Sequence, residues 1–383
     1  MHKATVIPLL AATAALAAAC GGGGSHAGSG SSSGTSSSAT TAATPGSGST
    51  TSSVKTGNPP APVTLTESGS SLLYPFLQEL VTPLSGAYSN VKLEPAAGGS
   101  GKGITDATNG ITTIGGSDAY LNGAELSSGL MNIPIAVSAQ DVFYNLPGVK
   151  NLKLTGSVLA QMYEGKITTW NAPAVAQLNP GVTLPSTKVV TIHRSDSSGD
   201  TFLFSGFLSK TDSTWASQVG QNTTVTWPAA PGALTANGNP GMVQACAKVP
   251  GCVAYIGISA QSEALAANLE EAQLQDKSGQ FVTANSTTIG NAVKNAAGSV
   301  PSNLVADLLY SAGTDSYPIV NFEYIIVKPT QPDANTALAI RDFLTFATST
   351  SGGSTPALLA KENFQALPSN VIPKVDAAVA KIS

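Results

Sequence analysis

The stretch Val189-Val190-Thr191-Ile192-His193-Arg194-Ser195-Asp196-Ser197-Ser198-Gly199-Asp200-Thr201-Phe202-Leu203-Phe204-Ser205-Gly206-Phe207-Leu208 opens β-branched, turns polar for eight residues and closes apolar. The opening reads as a buried strand. Leu203, Phe204, Phe207 and Leu208 fall at helical spacing, so the polar run is a loop that leaves a strand and starts a helix. The N–H groups of a first helical turn have no intrahelical partner and attract anions. Arg194 adds a planar fork of donors. Asp196 and Asp200 are out of place in a simple anion cradle.

The same grammar recurs upstream. Val63–Thr66 reads as a strand, Glu67–Ser71 as a polar turn, and Leu73, Phe76, Leu77, Leu80, Val81 and Leu84 as a helix face. Pro75 suits the first turn, with Ser70 or Ser71 as its cap. Val91–Glu94 is a second strand, Ala97–Gly103 a glycine-rich loop, Ile104–Thr108 a short helix, and Ile111–Gly115 a third strand ending at Gly116-Ser117-Asp118. Such units imply an α/β fold with a parallel sheet, whose ligands bind beyond the carboxyl ends of the strands. Ser71, Ser100 and Asp118 lie in loops at that edge. Ile133–Val142, Val253–Ile258 and Tyr317–Val327 are further apolar strands. Residues 210–240 read as loop with short strands, and Ala264–Leu274 as helix. Asn335–Thr348, Pro356–Asn363 and Val375–Ile382 read as closing helices.

The first 20 residues form a signal segment, with Lys3 in a basic start and an apolar run from Ala4 to Ala19. It ends at Cys20 in a pattern that resembles the lipobox of bacterial lipoproteins, with Leu16 one place early. Residues 21–62 are nearly all Gly, Ser, Thr, Ala and Pro, too polar and small to fold, and read as a disordered tether reaching roughly 35 Å. All 22 acids lie beyond it, with 16 of the 18 basic residues, so the folded part carries −6 and nucleic acid is excluded as a partner. Any bound anion is therefore held by local geometry, not by a global positive field. With Cys20 lipidated, Cys246 and Cys252 remain as a disulfide pair in an exported chain. With His193 the only histidine after the tether, no metal site is expected.

Several enzymatic patterns fail on spacing. Gly98–Thr105 lacks the Gly-Lys-[Ser/Thr] ending of a nucleotide loop, since Gly103 follows Lys102. His193, Ser195 and Asp200 lack a nucleophile elbow. Asp118 and Asp200 could pair as in a glycosidase, but no sugar-stacking aromatic run accompanies them. What remains is convergence. Ser71, Ser100 and Ser198 at helix starts, with Arg194, present donors to a tetrahedral oxyanion. An ionised carboxylate only accepts hydrogen bonds, so it repels sulfate but takes the proton that phosphate still carries at neutral pH.

The motifs Gly69-Ser70-Ser71-Leu72, Gly99-Ser100-Gly101, Gly115-Gly116-Ser117-Asp118-Ala119 and Arg194–Asp200 together resemble those of the phosphate-binding proteins of bacterial ABC-type phosphate import systems, lipid-anchored actinobacterial members above all. The resemblance runs from about Val63 to the C-terminus. It implies a two-lobed, type II periplasmic-binding-protein fold with two crossover strands, near Ile133–Val142 and Tyr317–Val327. The expected lobes are residues 63–137 with 319–383, and residues 138–318. It further implies a phosphate ligand, no cofactor, no catalysis, a permease as partner and a monomer anchored by lipid on the extracytoplasmic face. Ser71 and Ser100 would donate hydroxyls, Leu72 only its N–H where relatives have Phe, and Asp118 would accept the ligand's proton. Arg194 would make the charged contact, steadied by Asp196, and Ser198 with the Gly199 N–H would complete the cage. Asp200, where many relatives have Thr, would be a second acceptor and favour monobasic phosphate. A sulfate or molybdate carrier is the alternative within the binding class, and a phosphatase on the same scaffold the alternative outside it.

Overall fold

The computed structural model describes residues 54–383. The signal segment, Cys20 and the tether up to residue 53 lie outside the described residues. Twelve strands occur among the described residues: β1 (Val63–Gly69), β2 (Val91–Glu94), β3 (Ile114–Ser117), β4 (Met131–Tyr144), β5 (Lys153–Leu154), β6 (Val190–Arg194), β7 (Leu234–Ala236), β8 (Cys252–Gly257), β9 (Glu270–Glu271), β10 (Gln273–Gln275), β11 (Phe281–Val282) and β12 (Val320–Val327). Nine of them form one path, β2-β1-β3-β12-β4-β8-β6-β7 with β9 on β4, while β11-β10-β5 make a small second sheet.

β4 joins the two halves of the long sheet. Its residues Met131–Ala139 pair antiparallel with β12, and Gln140–Tyr144 pair antiparallel with β8. Thirteen of its fourteen residues are buried, which is why it reads as one apolar run. β1 pairs parallel with β2 and β3 on one side, and β6 parallel with β7 and β8 on the other. This is the two-lobed α/β arrangement with β4 and β12 as the shared strands. β12 begins at Val320, not Tyr317, because Pro318 has no N–H for a ladder.

The loops to helices follow the expected order. Helix α1 (Tyr74–Ala87) carries Pro75 at its start and buries Phe76, Leu77, Leu80 and Leu84. Helix α2 (Ser100–Asn109) starts four residues earlier than expected, directly at Ser100. β3 begins at Ile114, since residues 111–113 bend and Ile111 stays 66% exposed. The helix expected over Ala264–Leu274 stops at Ala266. Asn268 takes φ +60°, and the chain then enters β9 and β10. Within 210–240 a helix, Ser213–Gln218, was not anticipated. Asp212 caps it by accepting from Thr214 N and Trp215 N.

The tether ends earlier than its composition suggests. Lys55 O accepts from Arg341 Nε at 3.0 Å, Gly57 N donates to Asp342 Oδ1 at 2.8 Å, and Asn58 and Pro59 accept from Asn90. Composition reports side chains, whereas this strap is held mainly by backbone groups.

Cys246, at the end of the helix Gly238–Ala247, and Cys252, at the start of β8, form a disulfide with Cα atoms 5.4 Å apart. Closing so short a loop contributes roughly 2–3 kcal/mol. Reduction, or the double change Cys246→Ser and Cys252→Ser, should lower the unfolding free energy by about that amount, read from urea melts with and without reductant.

Glu67 lies at the inner end of β1, 3% exposed, accepting from Ala96 N at 3.2 Å. Burial pushes its carboxyl up to about 8, with the Ala96 and Gly116 N–H groups partly opposing. Its folded pKa thus exceeds the ordinary 4.5. The stability it contributes is complete below 4.5 and is lost as pH rises through about 8. Melting temperatures of the wild type should fall across that window relative to Glu67→Gln, and the difference should level off above it.

Candidate functional site

The site assembles from loops at the carboxyl ends of β1, β3 and β6 and the loop after β2. After β1, Ser70 Oγ accepts from Leu72 N and Leu73 N, both at 3.0 Å, and donates to Asp118 Oδ1. Ser70, not Ser71, therefore closes the entry to α1. The Leu72 N–H, expected to face a ligand, is engaged inside its own loop. Ser71 Oγ instead accepts from Asn239 N and Asn239 Nδ2, at 3.1 and 3.3 Å. Asn239 starts the helix Gly238–Ala247 from the other half of the sheet.

The loop after β2 meets the loop after β6. Gly99 takes φ +89°, and a Cβ there would lie 2.6 Å from both Asp196 Oδ2 and Ser197 O. Only glycine suits that conformation and that approach. Gly101 N donates to Ser197 O at 3.0 Å. Ser100 Oγ accepts from Asp118 N at 3.1 Å and lies 3.3 Å from Asp118 Oδ2, to which it donates. A Cβ on Gly199 would come within 2.4 Å of Asp118 Oδ2 and of Ser100 Oγ. The structure thus brings Ser100, Asp118 and Gly199 together, across the two halves of the sheet.

Arg194 ends β6 and is buried. Its Nε donates to Asp196 Oδ1 at 2.8 Å, its second terminal nitrogen to Asp196 Oδ2, and its first to Asp200 Oδ2 at 2.5 Å. Burial works against its charge, but Asp196 and Asp200 more than offset this and hold it protonated. Burial likewise opposes the Asp196 charge, and Arg194 overcomes it, so the carboxyl sits below its ordinary range. Asp196 steadies Arg194 as the sequence suggests.

Asp200 has other work. It lies in the first turn of the helix Gly199–Thr211, beneath the Ser198 cap, whose Oγ accepts from Thr201 N at 3.3 Å. Besides Arg194, its carboxylate accepts from Gln140 Nε2 at 3.1 Å and Asn239 Nδ2 at 2.9 Å. The six-residue step from Arg194 lets the loop fold back so that Asp200 meets the guanidinium. Both of its oxygens are engaged by protein donors, Arg194 among them, whereas Asp118 accepts only from the hydroxyls of Ser70 and Ser100. Asp118 is itself pushed well above the ordinary carboxylate range by burial first, then by Glu323 and Asp200 nearby.

His193 and Lys102 are engaged with other partners. His193 stacks on Trp227 with centroids 4.5 Å apart, and its Nδ1 lies 3.2 Å from Arg194 O. Lys102 pairs with Asp106. Among the described residues no group of three or more His, Cys, Asp or Glu could hold a metal ion.

Three residues at the site escaped the sequence reading of its roles. Ser70 was read only as a cap. Asn239 hides in Gly238-Asn239-Pro240, a helix-start signal with no chemistry of its own. Glu323 stands as the one acid in the apolar run Tyr317–Val327, and a lone charge on a buried strand is itself a signal.

The comparisons agree with this architecture. Residues 27–351 match the model of the PBP superfamily domain. A phosphate-binding protein of Xylella fastidiosa is 31% identical over 318 residues, covering 82% of this chain and 84% of its own. One from Methanocaldococcus jannaschii is 34% identical over 294 residues, covering 70% and 74%. The solved phosphate-binding protein of Stenotrophomonas maltophilia superposes with a TM-score of 0.60 at 20% identity, over 83% of this chain and 93% of that one, and shares the fold. With strands, helix starts and cross-sheet contacts laid out as above, the chain belongs to the phosphate-binding protein family of the PBP superfamily.

Proposed function

We propose that this chain captures inorganic phosphate outside the cytoplasmic membrane and delivers it to the permease of an ABC-type importer. The observation that carries this reading is the meeting of Ser100 and Asp118 from one half of the sheet with Gly199 from the other, on the loop that Arg194 opens. Arg194 uses one edge of its fork on Asp196 and one N–H on Asp200, and keeps further donors for an anion. The N-termini of α2 and of the helix Gly199–Thr211 add N–H groups and favourable dipoles. Ser71, Ser198 and the Gly199 N–H are the further ligand contacts we assign. Asp118 accepts the ligand's own hydroxyl. No bond is made or broken, and the site offers no activated nucleophile.

The lobes divide where β4 changes partner. We place the boundaries at 137/138 and 318/319, close to the point where Gln140 N donates to Ile319 O. Closure would bring Asn239 onto Ser71 and Ser197 O onto Gly101 N. Cys20 would carry the lipid anchor, with the tether giving the domain reach to the permease.

Calorimetric titration separates the candidate anions. Phosphate should bind one per chain, and sulfate and molybdate at least about a hundredfold more weakly, because Asp118 meets them with an unpaired acceptor. Equal sulfate affinity would refute the carboxylate argument, and steady release of phosphate from a chromogenic ester would place the chain among enzymes.

Asn239 links Ser71, Asp200 and Gly257, whose N–H donates to Asn239 Oδ1 at 2.8 Å. Removing it leaves buried groups unpaired, at about 1–3 kcal/mol. Asn239→Ala should weaken phosphate binding by about tenfold or more, mainly through faster release in stopped-flow displacement.

A further inference from the structure

Glu323 lies on β12 beneath the site and is fully buried. Ser138 Oγ and Asn321 Nδ2 both donate to its Oε1, the latter at 2.9 Å. These two bonds fix one side of the carboxyl. Its Oε2 is buried and has no hydrogen-bond partner. The register of β12 on β3, with Tyr324 opposite Ser117, sets position 323 against Asp118, and Asn321 Nδ2 donates both to Glu323 Oε1 and, at 3.5 Å, to Asp118 O. Ionised carboxylates only accept and repel one another, so two buried carboxyls set side by side need a proton between them.

Among the described residues no cation pairs with Glu323 or Asp118 to replace that proton. Asp118 faces Glu323 from the β3 end and Asp200 from the helix Gly199–Thr211. On β12 the neighbouring ionisable group is Tyr324, whose hydroxyl is pushed up by burial and by Glu323. On α2, Lys102 is engaged by Asp106, and Asp106 also accepts from Ser68. On β4, Asp141 is pushed up by burial and by the like charge of Glu271, so it brings no cation. Lys294 of the helix Ser286–Ala296 is exposed. Arg194 is committed to Asp196 and Asp200.

We propose that Asp118 and Glu323 hold a single proton between them, and that Glu323 carries it when Asp118 accepts the hydroxyl of a bound phosphate. Without ligand the proton bridges the two carboxyls. When the phosphate O–H donates to Asp118, the bridging proton passes to Glu323 Oε2, which then donates to Asp118 from behind. No proton enters or leaves, and Asp118 becomes an anionic acceptor without two bare carboxylates in one dry site. Glu323 acts through Asp118 and is a positioning residue. Burial, ahead of the other causes, raises both carboxyls, as a shared proton requires.

This inference deepens the phosphate reading and rests on it for the ligand's role, so its test has a part that needs no ligand. Glu323→Gln keeps the shape and offers Asp118 a permanent N–H donor. Infrared spectra of the ligand-free proteins should show one protonated-carboxyl band in the wild type that the variant lacks. In phosphate titrations corrected for ligand speciation, wild-type affinity should fall about tenfold per pH unit once the pair loses its proton. The variant has no such proton to lose, and its alkaline limb should be missing. Calorimetry of the wild type in buffers of different ionisation enthalpy should show uptake of one proton on binding only on that limb. Identical carboxyl bands in the two proteins, or the same alkaline limb in both, would overturn the proposal. A chain that shows the band difference yet binds no phosphate would sink the functional reading and leave the proton pair standing.

Discussion

The structure depends on one buried guanidinium. Arg194 ends a strand with its side chain 1% exposed and is held by Asp196 and Asp200. Taking such a charge out of water costs several kcal/mol unless its donors are paired. Two carboxylates within six residues meet that need locally, whatever occupies the site. The pairing also explains the loop. Asp196 must curl beside the guanidinium and Asp200 must sit in the first helical turn, so the chain between them is fixed, and with it Ser198 and Gly199. Asn239 extends the same network to the helix Gly238–Ala247 and to Ser71 on the opposite half of the sheet. An arginine that stabilises little in itself thus specifies where everything around it goes.

That arrangement leaves the site rich in acids. Among the described residues, Arg194 is the only cation paired with Asp196 and Asp200, while Asp118 and Glu323 stand behind the donors. A protein of net negative charge that takes up an anion here cannot rely on long-range attraction. Selection then falls to short-range hydrogen bonding, in which an acceptor among donors distinguishes a protonated oxyanion from a bare one.

Much of the scaffold was legible because its signals are local. The β-branched start and helical spacing of 189–208 give a strand, loop and helix, and the run Ile133–Val142 gives the strand that both halves share. Asp196 beside Arg194 is likewise a local reading. The partner of Asp200 is not, since the sequence shows that it is near Arg194 but not which way the loop folds. Ser71 illustrates the same limit. It was placed at a helix start, but its hydroxyl meets Asn239, 168 positions away, through a contact that only the closing of two sheet halves creates. The backbone strap at Lys55–Pro59 was hidden for another reason, because a Gly/Ser/Pro-rich composition says nothing about which N–H and C=O groups find partners.

Glu323 shows how topology turns a sequence anomaly into chemistry. An acid inside Tyr317–Val327 is costly in any fold, and a strand could tolerate it only by pairing or by retaining its proton. β12 lies between β3 and β4, so position 323 is flanked by the β3 end that carries Asp118 and by Ser138 on β4. Ser138 and Asn321 satisfy one oxygen, and the other is buried without a partner. The sheet order, β3-β12-β4, is what converts two isolated burial problems, at 118 and at 323, into one shared solution. Had β12 entered the sheet at its edge, each carboxyl would have needed its own cation or its own water. The antiparallel insertion of a late strand between two early ones thus does more than link the lobes. It places a second buried carboxyl directly behind Asp118, the residue we assign as the ligand's acceptor.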